Sequence, residues 1–129
     1  MIDGSCHCGT VTWQFNHLLA SATACNCTVC RRYGVLWAYG SDGDDIHLSG
    51  STTVYTPGKN LGFHFCATCG CLAYWRALSA GEQGFHRTAV KVRLAEPDTV
   101  ATVPVRYFDG LDTFKELPND SRCVSEFWI

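Results

Sequence analysis

The spacing of its cysteines limits what this chain can fold into more than any other feature. Nine cysteines occur in 129 residues, and eight of them fall into three tight groups. Cys6-His7-Cys8 is a CxC, Cys25-Asn26-Cys27-Thr28-Val29-Cys30 a CxCxxC, and Cys66-Ala67-Thr68-Cys69-Gly70-Cys71 a CxxCxC; Cys123 stands apart. On an extended chain, residues i and i+2 project to the same face. A disulfide between them would close a small strained ring, whereas two thiolates each about 2.3 Å from one zinc ion sit easily at that spacing. The odd count also argues against a secreted disulfide framework. The cysteines therefore read as metal ligands.

Eight clustered thiols are enough for two tetrahedral sites. A CxxC turn presents two sulfurs to one metal, and the glycine just after it, Gly70, lets the backbone turn back at positive φ. "CATCG" needs a second half, and "CHCG" is the simplest partner. The expected first site is Cys6, Cys8, Cys66 and Cys69, a closed four-thiolate centre of structural type. Its binding energy would be part of the folding energy. The second site then rests on Cys25, Cys27 and Cys30. Three protein ligands with an open fourth position is the pattern of a catalytic zinc. Cys71 is a possible fourth ligand that would close it. The competing readings are two purely structural zinc ions, or one zinc with a redox-active thiol cluster. All-thiolate sets suit iron as well as zinc.

The remainder of the sequence fits a single domain spanning 1–129. Nearly half of its residues are apolar, at 47%, which favours a packed core over disorder. The formal charge is −2 and no basic stripe occurs, so neither nucleic acid nor an anionic membrane surface is an expected partner. No apolar run approaches the roughly 20 residues that cross a bilayer. "MIDGSCHCGT" has no basic patch and no apolar stretch of signal-peptide type, and thiols used as ligands imply a reducing compartment; the expected location is cytoplasmic.

The apolar pattern predicts short strands. "TVTWQF", "VLWAYG", "IHLSG", "TVYTPG" and "ATVPVRYF" each read as one, and "FHFCATCGCLAYW" as a hairpin bending at the CxxCG. "TAVKVRLAEP", Thr88 to Pro97, alternates Val90, Val92 and Leu94 with Lys91 and Arg93. Helix is confined to one turn around Thr28 to Tyr33 and another near Asp112 to Leu117. The fold class is mainly β, a sandwich or tent of short sheets with little helix.

Arg31 and Arg32 follow the CxCxxC directly. One of them could clamp a substrate carboxylate in bidentate fashion, or both could be a solvated pair offsetting thiolate charge. Trp37, Tyr39 and Trp75 are candidate pocket walls, although aromatics of this kind more often fill a core. Of the five histidines, His64 lies two residues before Cys66 and is the one to watch; no general acid or base stands out.

"GSCHCGTV", "CNCTVCRR" and "FCATCG", in that order, resemble the glutathione-dependent formaldehyde-activating enzyme family, whose domain is shared with centromere protein V. The likeness runs from about Gly4 to Leu94. It implies a β-tent of short antiparallel sheets stapled by zinc. By the same resemblance, Cys6, Cys8, Cys66 and Cys69 take a structural zinc, and Cys25, Cys27 and Cys30 a catalytic one with Arg31 beside it. The implied function is that of a zinc-dependent carbon–sulfur lyase joining a thiol such as glutathione to formaldehyde or a similar small aldehyde. The alternative is a non-catalytic, zinc-stapled binding domain. A cysteine at position 71 departs from the family pattern and bears on whether the second site is open.

Overall fold

The computed structural model describes residues 1–128. Eleven short strands form one hydrogen-bonded network. They are β1 (Ile2–Ser5), β2 (Thr12–Phe15), β3 (Ala22–Cys25), β4 (Trp37–Asp42), β5 (Ile46–Ser49), β6 (Thr52–Tyr55), β7 (Leu61–Cys66), β8 (Leu72–Ala77), β9 (His86–Lys91), β10 (Val105–Phe108) and β11 (Glu116–Leu117). Helix is limited to α1 (Cys30–Tyr33), α2 (Pro97–Val100) and two 3-10 turns. The mainly β class is as the strand pattern predicts.

The main path runs β1-β2-β5-β4-β9-β8-β7-β6, with β3 bridging β4 and β10, and β11 on the far side of β10. Most pairings are antiparallel, but β3 and β10 run parallel, with Cys25 opposite Phe108. That register matters later. It carries a C-terminal strand alongside the CxCxxC loop.

Alternation along the central strands feeds two cores. Trp13, Ile46, Val90 and Val92 belong to a large core. Cys30, Trp37, Phe63, Leu72, Trp75 and Ala89 form a smaller one. On β9 the adjacent Ala89 and Val90 go to different cores, as successive residues of a strand must. Burying apolar area on both faces is what stabilises strands this short, since an isolated hairpin is marginal in water.

Three local expectations change. The alternating run from Thr88 does not extend to Pro97. The strand stops at Lys91 and Val92–Leu94 form a 3-10 turn, closed by Ala95 N–H donating to Val92 O. The chain then starts α2 at Pro97, where proline's fixed φ and missing N–H cost nothing. The segment near Asp112 to Leu117 is no helix. It is a turn held by Asp109, followed by β11. Ala22–Cys25 is a strand that no alternating pattern announced, because its side chains are small and all at least partly buried, Ala22 and Thr23 fully.

Candidate metal centres and the adjoining cavity

The fold brings seven of the clustered cysteines into two groups. The sulfurs of Cys6, Cys8, Cys66 and Cys69 all lie within 4.8 Å of one another, and so do those of Cys25, Cys27 and Cys30.

The first group joins the segment after β1 to the β7–β8 hairpin. Cys8 Sγ lies 3.7 Å from Cys6 Sγ and 3.5 Å from Cys66 Sγ. Gly70 turns the hairpin at φ +79°, a left-handed conformation that glycine adopts without strain. Its N–H donates to Cys66 O. The sulfurs themselves receive backbone donors: Val11 N–H to Cys6 Sγ at 3.2 Å and Cys69 N–H to Cys66 Sγ at 3.5 Å. Backbone N–H groups of Cys71 and Cys8 pull Cys69 down to about 5, and the Thr10 hydroxyl lowers Cys8. Burial raises Cys6. Cys6 and Cys66 are nearly sealed, at 3% and 1% exposure, so four thiolates here with no cation would be costly. The donor set fits a tetrahedral zinc.

The second group occupies the loop from β3 into α1. Cys30 begins that single helical turn, and Gly34 ends it at φ +64°. Cys30 N–H donates to Cys27 Sγ at 3.3 Å. The buried indole N–H of Trp37 donates to Cys30 Sγ, also at 3.3 Å. Burial pushes the Cys30 thiol strongly up and raises Cys25. For Cys27, burial is outweighed by the N–H of Cys30 and by its sulfur neighbours, which bring it below the usual thiol value. Three sulfurs this close, one of them stabilised by an indole donor, form a chemically suitable set for a thiophilic divalent ion.

Cys71 belongs to neither group. Its neighbour Leu72 packs in the small core beside Cys30, while Cys71 packs against the large core. The second group as it stands is a set of three sulfurs, with Cys71 outside it.

A latch covers the loop. Asp109 Oδ1 accepts from Asn26 Nδ2 at 3.1 Å, and Asn26 Oδ1 accepts from Leu111 N–H at 3.0 Å. The Asp109 carboxylate also takes the N–H groups of Asp112 and Thr113 and the Thr113 hydroxyl. Led by the Thr113 N–H, these donors hold Asp109 down to about 2. Nothing in the sequence marks Asp109 as a site residue. The one available signal is the "DG" at 109–110, which reads only as a turn.

Beside this loop lies a cavity of about 620 Å³. Thr23 lines it, and Cys25, two residues on, projects to the same face of β3. Phe108, paired with Cys25 across the sheet, lines it too. Tyr39 and Trp75 are wall residues, as the aromatic pattern allowed; Trp37 is 1% exposed and buried in the core. Partial burial pushes the Tyr39 phenol up to about 12, so it keeps its proton at neutral pH.

The cations in the cavity wall are Arg87 and Arg106. Arg31 is exposed and is not part of this cavity's wall. Arg32 donates to Thr28 O at 2.9 Å and borders a separate cavity of about 500 Å³. His64 hydrogen-bonds Thr52 Oγ1 at 2.8 Å, stacks on Tyr74 and is part of neither cysteine group.

Residues 1–106, which include both cysteine groups, match the glutathione-dependent formaldehyde-activating enzyme family. The chain belongs to that family. A crystal structure of a Rhodobacter sphaeroides protein is similar to this one at 26% identity and a TM-score of 0.60, over 81% of this chain and 99% of that one. Among curated proteins, none matches. In this family member the residues that close the cavity from the C-terminal side, Tyr107, Phe108, Phe114 and Glu116, lie beyond the matched segment. Among the described residues no helix is long and apolar enough to cross a membrane.

Proposed function

We propose that this protein is a zinc-dependent carbon–sulfur lyase that adds a thiol, such as glutathione, to formaldehyde or a similar small aldehyde, and runs the reverse reaction. In forward addition the thiol sulfur bonds to the carbonyl carbon, and the thiol proton ends on the carbonyl oxygen. The product is a hemithioacetal and nothing is oxidised. One observation carries the reading: a group of three cysteine sulfurs begins at Cys25, whose strand neighbours Thr23 and Phe108 line a cavity far larger than an aldehyde needs. Membership of the family supports it.

Cys25, Cys27 and Cys30 would hold the zinc, which when bound supplies a Lewis acid and lowers the pKa of a bound thiol. Cys6, Cys8, Cys66 and Cys69 would hold a second zinc that ties the N-terminal strand to the β7–β8 hairpin. Trp37 fixes the Cys30 sulfur by its N–H. Tyr39, protonated at neutral pH, offers a neutral donor on the cavity wall. Arg31 and Arg32 place positive charge just after the triad, which offsets thiolate charge.

The test is zinc content, folding and hemithioacetal formation for the wild type and Cys25→Ala. The proposal expects two zinc ions per wild-type chain. The variant should keep a native circular dichroism spectrum and one zinc, but lose adduct formation. A variant that unfolds outright, or one that retains full activity, would favour the purely structural role of the second metal.

A further inference from the structure

We infer that the cavity beside Cys25 takes a flat aromatic body bearing one carboxylate, and that Arg87 is the residue that selects for that charge. This rests on the reading that the reactive metal sits at Cys25, Cys27 and Cys30, and it narrows the substrate of that same site from glutathione to an aromatic monocarboxylate.

Two aromatic pairs form the cavity's facing walls. On the sheet side, Tyr39 and Trp75 meet with ring centroids 5.9 Å apart. On the C-terminal side, Phe108 and Phe114 meet edge to face at 4.9 Å. All four side chains line the same cavity. Phe114 is held at φ +56°, a region that bulky L-residues avoid, and the residue is 74% exposed. An exposed phenylalanine kept at a strained backbone position by Asp109, whose O accepts its N–H at 2.7 Å, is unfavourable for the free protein. Such strain concentrates where a ligand makes use of it. The walls match a planar apolar ligand, since stacked or edge-on aromatic contacts are favourable.

The charges single out one cation. Arg106 is already matched, with Nη1 2.6 Å from Glu116 Oε1. Arg87 has no carboxylate within salt-bridge distance among the described residues. Its guanidinium lies over the Tyr39 ring, 5.4 Å from the centroid. Stacking on Tyr39 orients the planar fork without using up its donors, and that fork is suited to a carboxylate. One free cation beside four aromatic rings selects a single anionic group on an apolar body. A strongly polar ligand with several charges would leave most of its groups unmatched.

The experiment is binding by isothermal titration calorimetry to the zinc-loaded protein, with no thiol or aldehyde present. The probes are 2-naphthylacetate, its neutral primary amide and glutathione. The expected result is that naphthylacetate binds tightest, at least roughly tenfold more tightly than the amide. Arg87→Gln should erase that preference, while Arg106→Gln should leave it in place. Equal binding of acid and amide, tighter binding of glutathione, no binding of naphthylacetate, or loss of the preference only in Arg106→Gln would each overturn the inference. Binding is read without turnover. A failure of the lyase reading alone would therefore appear as missing hemithioacetal formation, with the naphthylacetate preference intact.

Discussion

Gly110 stands against the sulfur of Cys25 so closely that a Cβ on it would lie 2.7 Å from Cys25 Sγ and 3.0 Å from Cys27 Cβ. The first contact is shorter than real side chains show, and the second is tight enough that Cys27 would have to give way. The backbone after β10 thus seals one side of the cysteine triad, and only glycine permits it. Gly110→Ala should force apart the latch and the metal-binding loop while leaving the other cysteine group untouched. The expected outcome is a fall from two zinc ions per chain to about one, with near-native circular dichroism. Elemental analysis of the purified variant checks it, and a retained stoichiometry of two would show that the loop moves freely.

The Trp37 indole makes the complementary contact from inside the core. Its N–H reaches Cys30 Sγ at 3.3 Å and the side chain is 1% exposed. A hydrogen bond to a charged acceptor contributes about 1.5–3 kcal/mol. Trp37→Phe keeps much of the apolar volume but removes the donor. Zinc should leave the second site about tenfold faster or more, measured as colour development with a chromogenic chelator, while the first site releases its ion at the wild-type rate.

How much of this could be read from the chain beforehand depended on the range of the interaction. The cysteine spacings are local, and they announced both groups and the glycine turn at Gly70. Strands with strict alternation, such as β2, or with an apolar run, such as β4, were legible for the same reason. What escaped were features set by contacts distant in sequence. Asn26 meets Asp109 across 83 positions, and the parallel pairing of β3 with β10 has no periodic signature in either segment. The side on which Cys71 faces depends on where β8 begins, a matter of one residue. The arginines show the same limit: Arg31 and Arg32 adjoin the triad in sequence, while Arg87 and Arg106, distant in sequence, line the cavity beside Thr23.

The first cysteine group should behave as a staple. It joins residues 6 and 8 to 66 and 69, far apart in the chain, and its two innermost sulfurs are nearly sealed from solvent. Cys66→Ser leaves a buried hydroxyl where a thiolate closed the site. Because metal binding at such a centre is part of the folding free energy, this variant should be largely unfolded or insoluble. Cys123→Ser, outside both groups, should fold and bind two zinc ions. Thermal melts of the two variants side by side decide the point; a stable Cys66→Ser chain would show that the strands hold without the ion.

Asp109 gives the latch a defined dependence on pH. Its carboxyl has an ordinary value of 3.8 and is lowered to about 2 by the N–H and hydroxyl donors of Thr113, Asn26 and Asp112. A carboxyl depressed by folding stabilises the folded form fully above its unfolded value. That contribution is lost only as the pH falls from about 3.8 towards 2. Between pH 5 and pH 8 the latch should therefore be insensitive to acid. Asp109→Asn removes the charge that gathers these donors, and it should loosen the 109–114 turn at every pH. Hydrogen exchange supplies the measurement, with the amides of Asp112 and Thr113 as reporters. In the wild type, protection should stay level from pH 8 to pH 5 once intrinsic exchange rates are divided out. In Asp109→Asn it should be low across the same range. A wild-type protection that falls between pH 7 and pH 5 while both zinc ions remain bound would mean that another group, not Asp109, holds the latch.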